Sequence, residues 1–399
     1  MPANDALPRG PITLTRSWAR PLGVGYAGIA TSGALVVTMY GDGREDHVVA
    51  LDAASGETRW RRAIGPMFPA GGGSEGGPKS TPTIDGDTVY ALGPNGDLLA
   101  LALADGAERW RIQLVSDVGA VRPEFGFATS PLVIGERLVV ATGGPSGHGI
   151  TALDKASGAA LWSAGDDPLE YPSPIPATLA GVEQVVAVSD GAALGLDPAT
   201  GAVLWRFPHE LHEVPTAVLL GDDRVLVPGV EETLALRVRR SESGLVAEKL
   251  WASLGFKGST ASPVLHEGLL YGFNGEFLTA VSPDDGHTVW KSRPPGGAGL
   301  IGIGERLAIL ARGGALVIAA ASPTGYREEA RVEALERSSF TYPAYAGGRL
   351  FVRDTQGIAA VTVGAAGEGE VTAQPRPRAG FLTRLRESVR RWLYGSKAQ

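Results

Sequence analysis

The chain has 399 residues, 44% of them apolar and 20% charged, with 56 glycines, 28 prolines and no cysteine. This is the composition of a globular protein rich in turns, and the missing cysteine excludes disulfides, thiolate metal sites, a cysteine nucleophile and a lipid-bearing cysteine. The net charge of −7 is unevenly spread: residues 376–399 hold seven basic side chains and one acid, net +6, which leaves −13 on the rest, and so acidic a body is a poor match for nucleic acid.

The N-terminal stretch "MPANDALPRGPITLTRSWAR" has no apolar run behind a basic start, and no window reaches the 18 apolar residues of a membrane-spanning helix. The expected location is cytoplasmic, or peripheral on a membrane, with the periplasm as the alternative if a leader is missing from this chain. Residues 11–20, "PITLTRSWAR", read as a strand carrying Trp18 with no hairpin before it. Then a unit begins to recur. "VVALDAASGETRW" (48–60) is followed by "LLALALADGAERW" (98–110), "ITALDKASGAALW" (150–162), "ALGLDPATGAVLW" (193–205) and "FLTAVSPDDGHTVW" (277–290).

Each copy reads as a strand, a tight turn and a second strand ending on tryptophan. In "LDAASG" the Asp52 side chain can close a turn on backbone amides, and Gly56 supplies the positive φ that ends it. Tryptophan follows glycine by four residues in all five copies. A longer turn precedes Trp251 in "RVLVPGVEETLALRVRRSESGLVAEKLW". Trp60, Trp110, Trp162, Trp205, Trp251 and Trp290 are spaced by 50, 52, 43, 46 and 39 residues, the range of propeller blades and of helical arrays.

The runs ahead of each hairpin, such as "TPTIDGDTVYALG" and "SPLVIGERLVVAT", alternate and are broken by Gly-Asp and Gly-Glu turns. Those are strands of about five residues rather than helices. Blade seven, "ERLAILARGGALVIAAASPTGYREEARV", lacks the tryptophan, and blade eight, "TYPAYAGGRLFVRDTQGIAAVTVG", stops after three strands. The N-terminal strand is therefore predicted to complete blade eight and close an all-β, eight-bladed propeller over residues 11–364. Trp18, Trp60, Trp110, Trp162, Trp205, Trp251 and Trp290 are read as packing between blades, since periodic large rings fill seams.

The repeated A-x-D-x-x-[ST]-G-x-x-x-W resembles the quinoprotein-like propellers, a group that includes pyrroloquinoline quinone dehydrogenases and the assembly lipoprotein BamB. That resemblance implies the eight-bladed fold, tryptophans that dock blades, and a leaning towards protein binding. Two functions follow. The first is a non-catalytic scaffold for protein–protein interaction within a complex. The alternative is a quinone- or metal-dependent oxidoreductase using the central channel, with pyrroloquinoline quinone and calcium. No cofactor is expected, because the chain has no vicinal cysteines and no insertion large enough to roof a quinone.

The longest loops follow the tryptophan strands: 65–80, 115–128, 165–174 and 207–216. If they share one rim, they bring together Arg122, Glu124, Glu170, Tyr171, Glu210 and Glu213. His209 and His212, with Asp166 and Asp167, form a candidate divalent-metal set, although "HELHE" is neither zinc-protease motif. A Gly/Pro/Ala-rich linker (365–379) precedes "FLTRLRESVRRWLYGSKAQ". On a helical wheel Phe381, Leu382, Leu385, Val389, Trp392 and Leu393 fall within an arc of about 120°, and Arg384, Arg386, Arg390 and Arg391 lie outside it. Residues 380–395 thus read as a basic amphipathic helix suited to a protein groove, an anionic membrane surface or the acidic body itself.

Overall fold

The computed structural model describes residues 7–366 apart from 72–73, 145–146, 167–170, 190, 212–214, 260, 298 and 338. The predicted C-terminal helix therefore lies outside the described residues. These form eight four-stranded antiparallel sheets, each with its strands in sequence order A to D in seven cases. Together they make an eight-bladed propeller. The A strands are Ala30–Ser32, Thr83–Asp85, Leu132–Ile134, Ile175–Leu179, Val218–Leu219, Val264–His266, Gly299–Ile303 and Ala344–Ala346. Neighbouring A strands touch around the inside of the ring, so the D strands form the outer wall. The eighth sheet draws its outer strand, Ile12–Pro21, from the other end of the chain, with Ile12 opposite Ala365 and Pro21 opposite Gly357.

The D strands explain why the hairpin recurs. The Asp52 carboxylate accepts from the amides of Ala54 and Ser55 and from the Ser55 hydroxyl. Asp154 and Asp197 repeat the same three bonds in their own turns. Arg59 and the turn's own donors hold the Asp52 carboxyl down at about 2. The turn then ends on a glycine in the left-handed region: Gly56, Gly106, Gly158, Gly201 and Gly286 have φ between 70° and 76°. No side chain would fit there. A Cβ at Gly106 would lie 2.5 Å from Cε3 of Trp60, and one at Gly158 would lie 2.9 Å from Trp110.

Each indole therefore lies against the turn of the following blade, and its N–H donates into that turn: Trp18 to Ala53, Trp60 to Leu103, Trp110 to Lys155, Trp162 to Pro198, Trp251 to Pro283 and Trp290 to Ser322, over 2.8–3.2 Å. Trp205 departs from the pattern. Blade five has a long hairpin in place of the short turn, and the Trp205 N–H donates to Gln184 of its own blade. Its ring still packs with Val225 and Leu234 of blade five.

Blade seven carries Ala330 where the others carry tryptophan. Blade eight has no C–D turn to receive an indole, because its C and D strands come from opposite chain ends. Leu7 is buried in the cluster that holds Ala330 and Ile303, and Arg306 donates to the Pro8 and Gly10 carbonyls while pairing with Glu329. At the seam between blades eight and one, the guanidinium of fully buried Arg353 donates to the Gly25 and Met39 carbonyls and the Thr38 hydroxyl. Burial pulls its pKa down to about 10.

Trp60→Ala removes a buried ring and leaves a cavity at the first seam, an expected cost of about 3–5 kcal/mol. Gly106→Ala forces a Cβ into that ring at positive φ, costing about 1–3 kcal/mol. Because the first change empties the space the second needs, the double variant should lose less thermal stability than the two losses added. Additive shifts in melting temperature would contradict the contact.

Candidate functional site

Strand direction alternates, so every D–A loop and every B–C loop emerges at the same end of the ring. The loops named from sequence therefore share one mouth. Two features of that mouth were not anticipated.

The first is a hydrogen-bonded collar just before the A strands. The Thr81 amide donates to the Ser130 hydroxyl at 3.0 Å, the Ser130 amide to Ser173 at 2.9 Å and the Ser173 amide to Thr216 at 3.1 Å. Ser262 then donates its hydroxyl to the Thr216 carbonyl at 2.7 Å and its amide to the Tyr342 hydroxyl at 2.7 Å. Its signal in the sequence is the Ser/Thr–Pro pair recurring at 81–82, 130–131, 173–174 and 262–263. Proline stops the preceding residue from becoming helical, which leaves its hydroxyl free to reach back to the preceding blade.

The second feature is an arc of rings and cations over blades eight, one, two and three. Phe340, 63% exposed, meets Tyr26 edge-on at 5.6 Å. Lys79 lies 5.8 Å from the Tyr26 ring and 4.6 Å from the Phe68 ring, and the Arg122 guanidinium sits 6.0 Å from the Phe68 ring. Arg122 is fixed by a 3.0 Å bond to Asn95. The short helix Leu114–Val118 delivers this loop. The Gln113 side chain caps its start, and Gly119 ends it in the left-handed region. Phe125 and Tyr171 face each other at 6.2 Å, and Glu124 is exposed beside them.

Below the arc lies a buried acid. Asp46, 1% exposed, accepts the Phe68 amide at 3.0 Å through one oxygen. Its other oxygen has no partner. Burial pushes this carboxyl up to about 6, against the pull of the Phe68 amide and Lys79. Burial also pushes the Lys79 ammonium down to about 8, opposed by Asp46. Its neighbour His47 bonds Asp42 at 2.8 Å. Asp42 is held well below the usual carboxylate range by the Glu45 and Arg44 amides, with His47 adding to them.

Two members of the metal set, His209 and Asp166, are described, and they lie on different loops. His209 and Glu210 line a groove of about 560 Å³ between blades four and five, with Glu231, Glu232, Lys249 and Lys257. Asp166 belongs to the preceding loop, and Asp167, Glu170, His212 and Glu213 lie outside the described residues. Among the described residues no three acidic or histidine side chains converge on a common point.

A family model described as outer membrane protein assembly factor BamB matches residues 44–292. The outer membrane protein assembly factor BamB of Bordetella pertussis (strain Tohama I) is 25% identical over 203 residues, 49% of this chain and 45% of the relative. The chain thus spans less than half the length of that curated relative. Among solved structures, BamB from Moraxella catarrhalis superposes with a TM-score of 0.63 at 18% identity, covering 88% of this chain and 97% of the other. The quinohemoprotein alcohol dehydrogenase of Comamonas testosteroni gives 0.61 at 13% identity, covering 92% and 79%. Sqt1 of Saccharomyces cerevisiae gives 0.62 at 13%, covering 89% and 99%. At such identities these structures share the fold alone.

The buried acid yields a test with a definite sign. Its folded pKa, about 6, lies above the unfolded value of 3.8. Its contribution is therefore fully present below 3.8 and is lost as pH rises through 6. The melting temperature should fall between pH 4.5 and about 7 in the native protein relative to Asp46→Asn, measured by thermal scanning. Parallel curves for the two proteins would contradict a buried, protonatable Asp46.

Proposed function

Because this chain belongs to the family of outer membrane protein assembly factor BamB, and is a quinoprotein-like repeat propeller related to BamB and to quinone dehydrogenases, we propose that it is a non-catalytic binding scaffold within a protein complex. The mouth of the D–A loops is the working face in this reading. The observation that carries it is the ring–cation arc. Phe340 is held by Tyr26 yet exposed, and the arc runs from it through Lys79 and Phe68 to an Arg122 already positioned over Phe68. Aromatic and arginine side chains held rigid before contact are what strong protein interfaces use. The names of the relatives favour the periplasmic alternative over the cytoplasmic location.

Two finer elements belong to the same proposal. The N-terminal strand acts as the clasp of the ring, by pairing along Gly357–Ala365. The basic segment 380–395 recruits the scaffold to its complex, through a protein groove or an anionic membrane surface, a second contact that raises effective concentration. An enzyme using pyrroloquinoline quinone is the second reading. The quinohemoprotein dehydrogenase that covers 92% of this chain favours it.

Tagged full-length protein, a chain ending at Gln374 and a Phe340→Ser/Arg122→Ala variant, each purified from the native host, distinguish these readings. A defined complex should be recovered with the full chain and lost with the mouth variant, and weakened by tail removal. Equal recoveries from all three would overturn the scaffold. Saturable uptake of pyrroloquinoline quinone with calcium, seen by absorbance, would establish the enzyme instead. Deleting residues 1–21 should convert one sharp thermal transition into a broad one at lower temperature, and an unchanged transition would refute the clasp.

A further inference from the structure

The ring distributes its ion pairs unevenly. Among the described residues, every pair that a lysine or arginine makes with a carboxylate draws at least one member from an outer strand or from the turns at the end away from the mouth. Arg59 with Asp52 at 2.7 Å, Lys155 with Asp85 at 3.0 Å and Arg224 with Asp284 at 3.1 Å are of this kind. No lysine or arginine of a described mouth loop takes part. On a body of net charge −13, the cations of the mouth are the ones left without a carboxylate.

Two of them are held in place by neutral groups. Exposed Arg122 donates to the Asn95 side-chain oxygen at 3.0 Å, and Asn95 is itself fixed by donating to the Pro66 carbonyl and accepting from Gln113. The other donors of that guanidinium make no bond among the described residues. Half-buried Lys79 has one acceptor, the Gly77 carbonyl at 3.4 Å, and otherwise faces the Tyr26 and Phe68 rings. Both charges thus lie within 6.0 Å of one ring, Phe68. The local carboxylates do not answer them. Glu75 accepts from Gln356 at 3.3 Å, Glu124 is exposed and pairs with neither, and Asp46 attracts Lys79 from below while bonded to the Phe68 amide. Glu210, Glu231 and Glu232 line the groove between blades four and five, across the ring.

We propose that Lys79, Arg122 and the Phe340–Tyr26 ring pair form a docking site for an acidic, aromatic segment of a partner polypeptide. Its carboxylate engages Lys79 and Arg122, and its aromatic side chain rests on Phe340. This rests on the scaffold reading and adds the class of partner to it. A carboxylate is the group that accepts two parallel donors of a fixed guanidinium at once, and it supplies the counter-charge that half-buried Lys79 lacks. The face of Phe340, exposed and already met edge-on by Tyr26, is open to a further ring. The acidic body selects the form of the ligand. An extended anionic surface would be repelled by the charge around the arc, whereas a short segment meets only the two cations.

The test uses the full chain and a short fluorescent peptide with an aspartate on each side of one phenylalanine and serine and glycine elsewhere, read by anisotropy. The native protein should bind it saturably, and more weakly as salt is raised. Asparagine in place of both aspartates, or Arg122→Gln or Lys79→Met in the protein, should each weaken binding by about tenfold or more with an unchanged melting temperature. Equal binding of the asparagine peptide, or binding indifferent to both substitutions, would overturn the site. So would binding to phosphatidylglycerol vesicles that the same two substitutions abolish, with no uptake of the peptide, because a lipid headgroup would then hold the cations. Loss of the native-host complex in Phe340→Ser/Arg122→Ala without peptide binding would leave the scaffold standing and remove this partner class. Peptide binding with the complex intact in that variant would do the reverse.

Discussion

An indole lying flat against a glycine of the next blade is the contact on which the ring depends. It imposes three requirements at once. The turn must end at positive φ, the residue there must have no Cβ, and the strand before it must deliver a carbonyl to the indole N–H. Asp52, Asp154 and Asp197 meet the first by closing the turn on its own amides. Gly56, Gly158 and Gly201 meet the second. A blade is apolar on both faces and cannot stand alone, so each repeat is stable only against its neighbour.

The exceptions follow from the same rule. Where blade five replaces the short turn with the long hairpin of Thr233–Ser241 and Gly244–Ser253, Trp205 meets no turn glycine of the next blade; it lies over Gly195 of its own blade and bonds Gln184 instead. Blade seven faces a neighbour whose C and D strands come from opposite ends of the chain. The turn is gone, and so is the tryptophan. Leu7 fills that space, and the backbone of Pro8 and Gly10 takes the donors of Arg306. The last seam, between blades eight and one, keeps its docking indole in Trp18 and adds Arg353, whose donors reach three groups of blade one and the loop leading to it.

The repeated hairpin was legible in the sequence because its requirements are local: aspartate, glycine and tryptophan stand within nine residues of one another. Loops on one mouth were legible too, since alternation of strand direction needs only a count. The collar was not. Ser130 and Ser173 lie 43 residues apart, and a Ser–Pro pair is common enough that only the recurrence of Ser/Thr–Pro before four of the eight A strands marks it. Arg353 reads as a surface residue ending "LFVR", yet the neighbouring blade covers it completely. Asp46 and Lys79 are likewise joined only by the fold. Of the histidine–aspartate set, His209 lines a groove between blades four and five and Asp166 belongs to the preceding loop, while Asp167 and His212 lie outside the described residues.

A ring fixed by the docking indoles can vary elsewhere without loss of shape, and the two places where it varies are chemically unlike. At the mouth, rings and cations are stacked on one another, with Lys79 and Arg122 over the Phe68 ring and Asp46 buried below. On the wall, the variable position is the bulge before each tryptophan, which the ladder skips and which is therefore free to change. The tryptophan beside it cannot change without loosening a seam. Conformational constraint and chemical freedom thus sit one residue apart in the same hairpin: the tryptophan is kept wherever a turn receives it, while its neighbour is Arg59, Arg109, Leu161, Leu204, Leu250 or Val289.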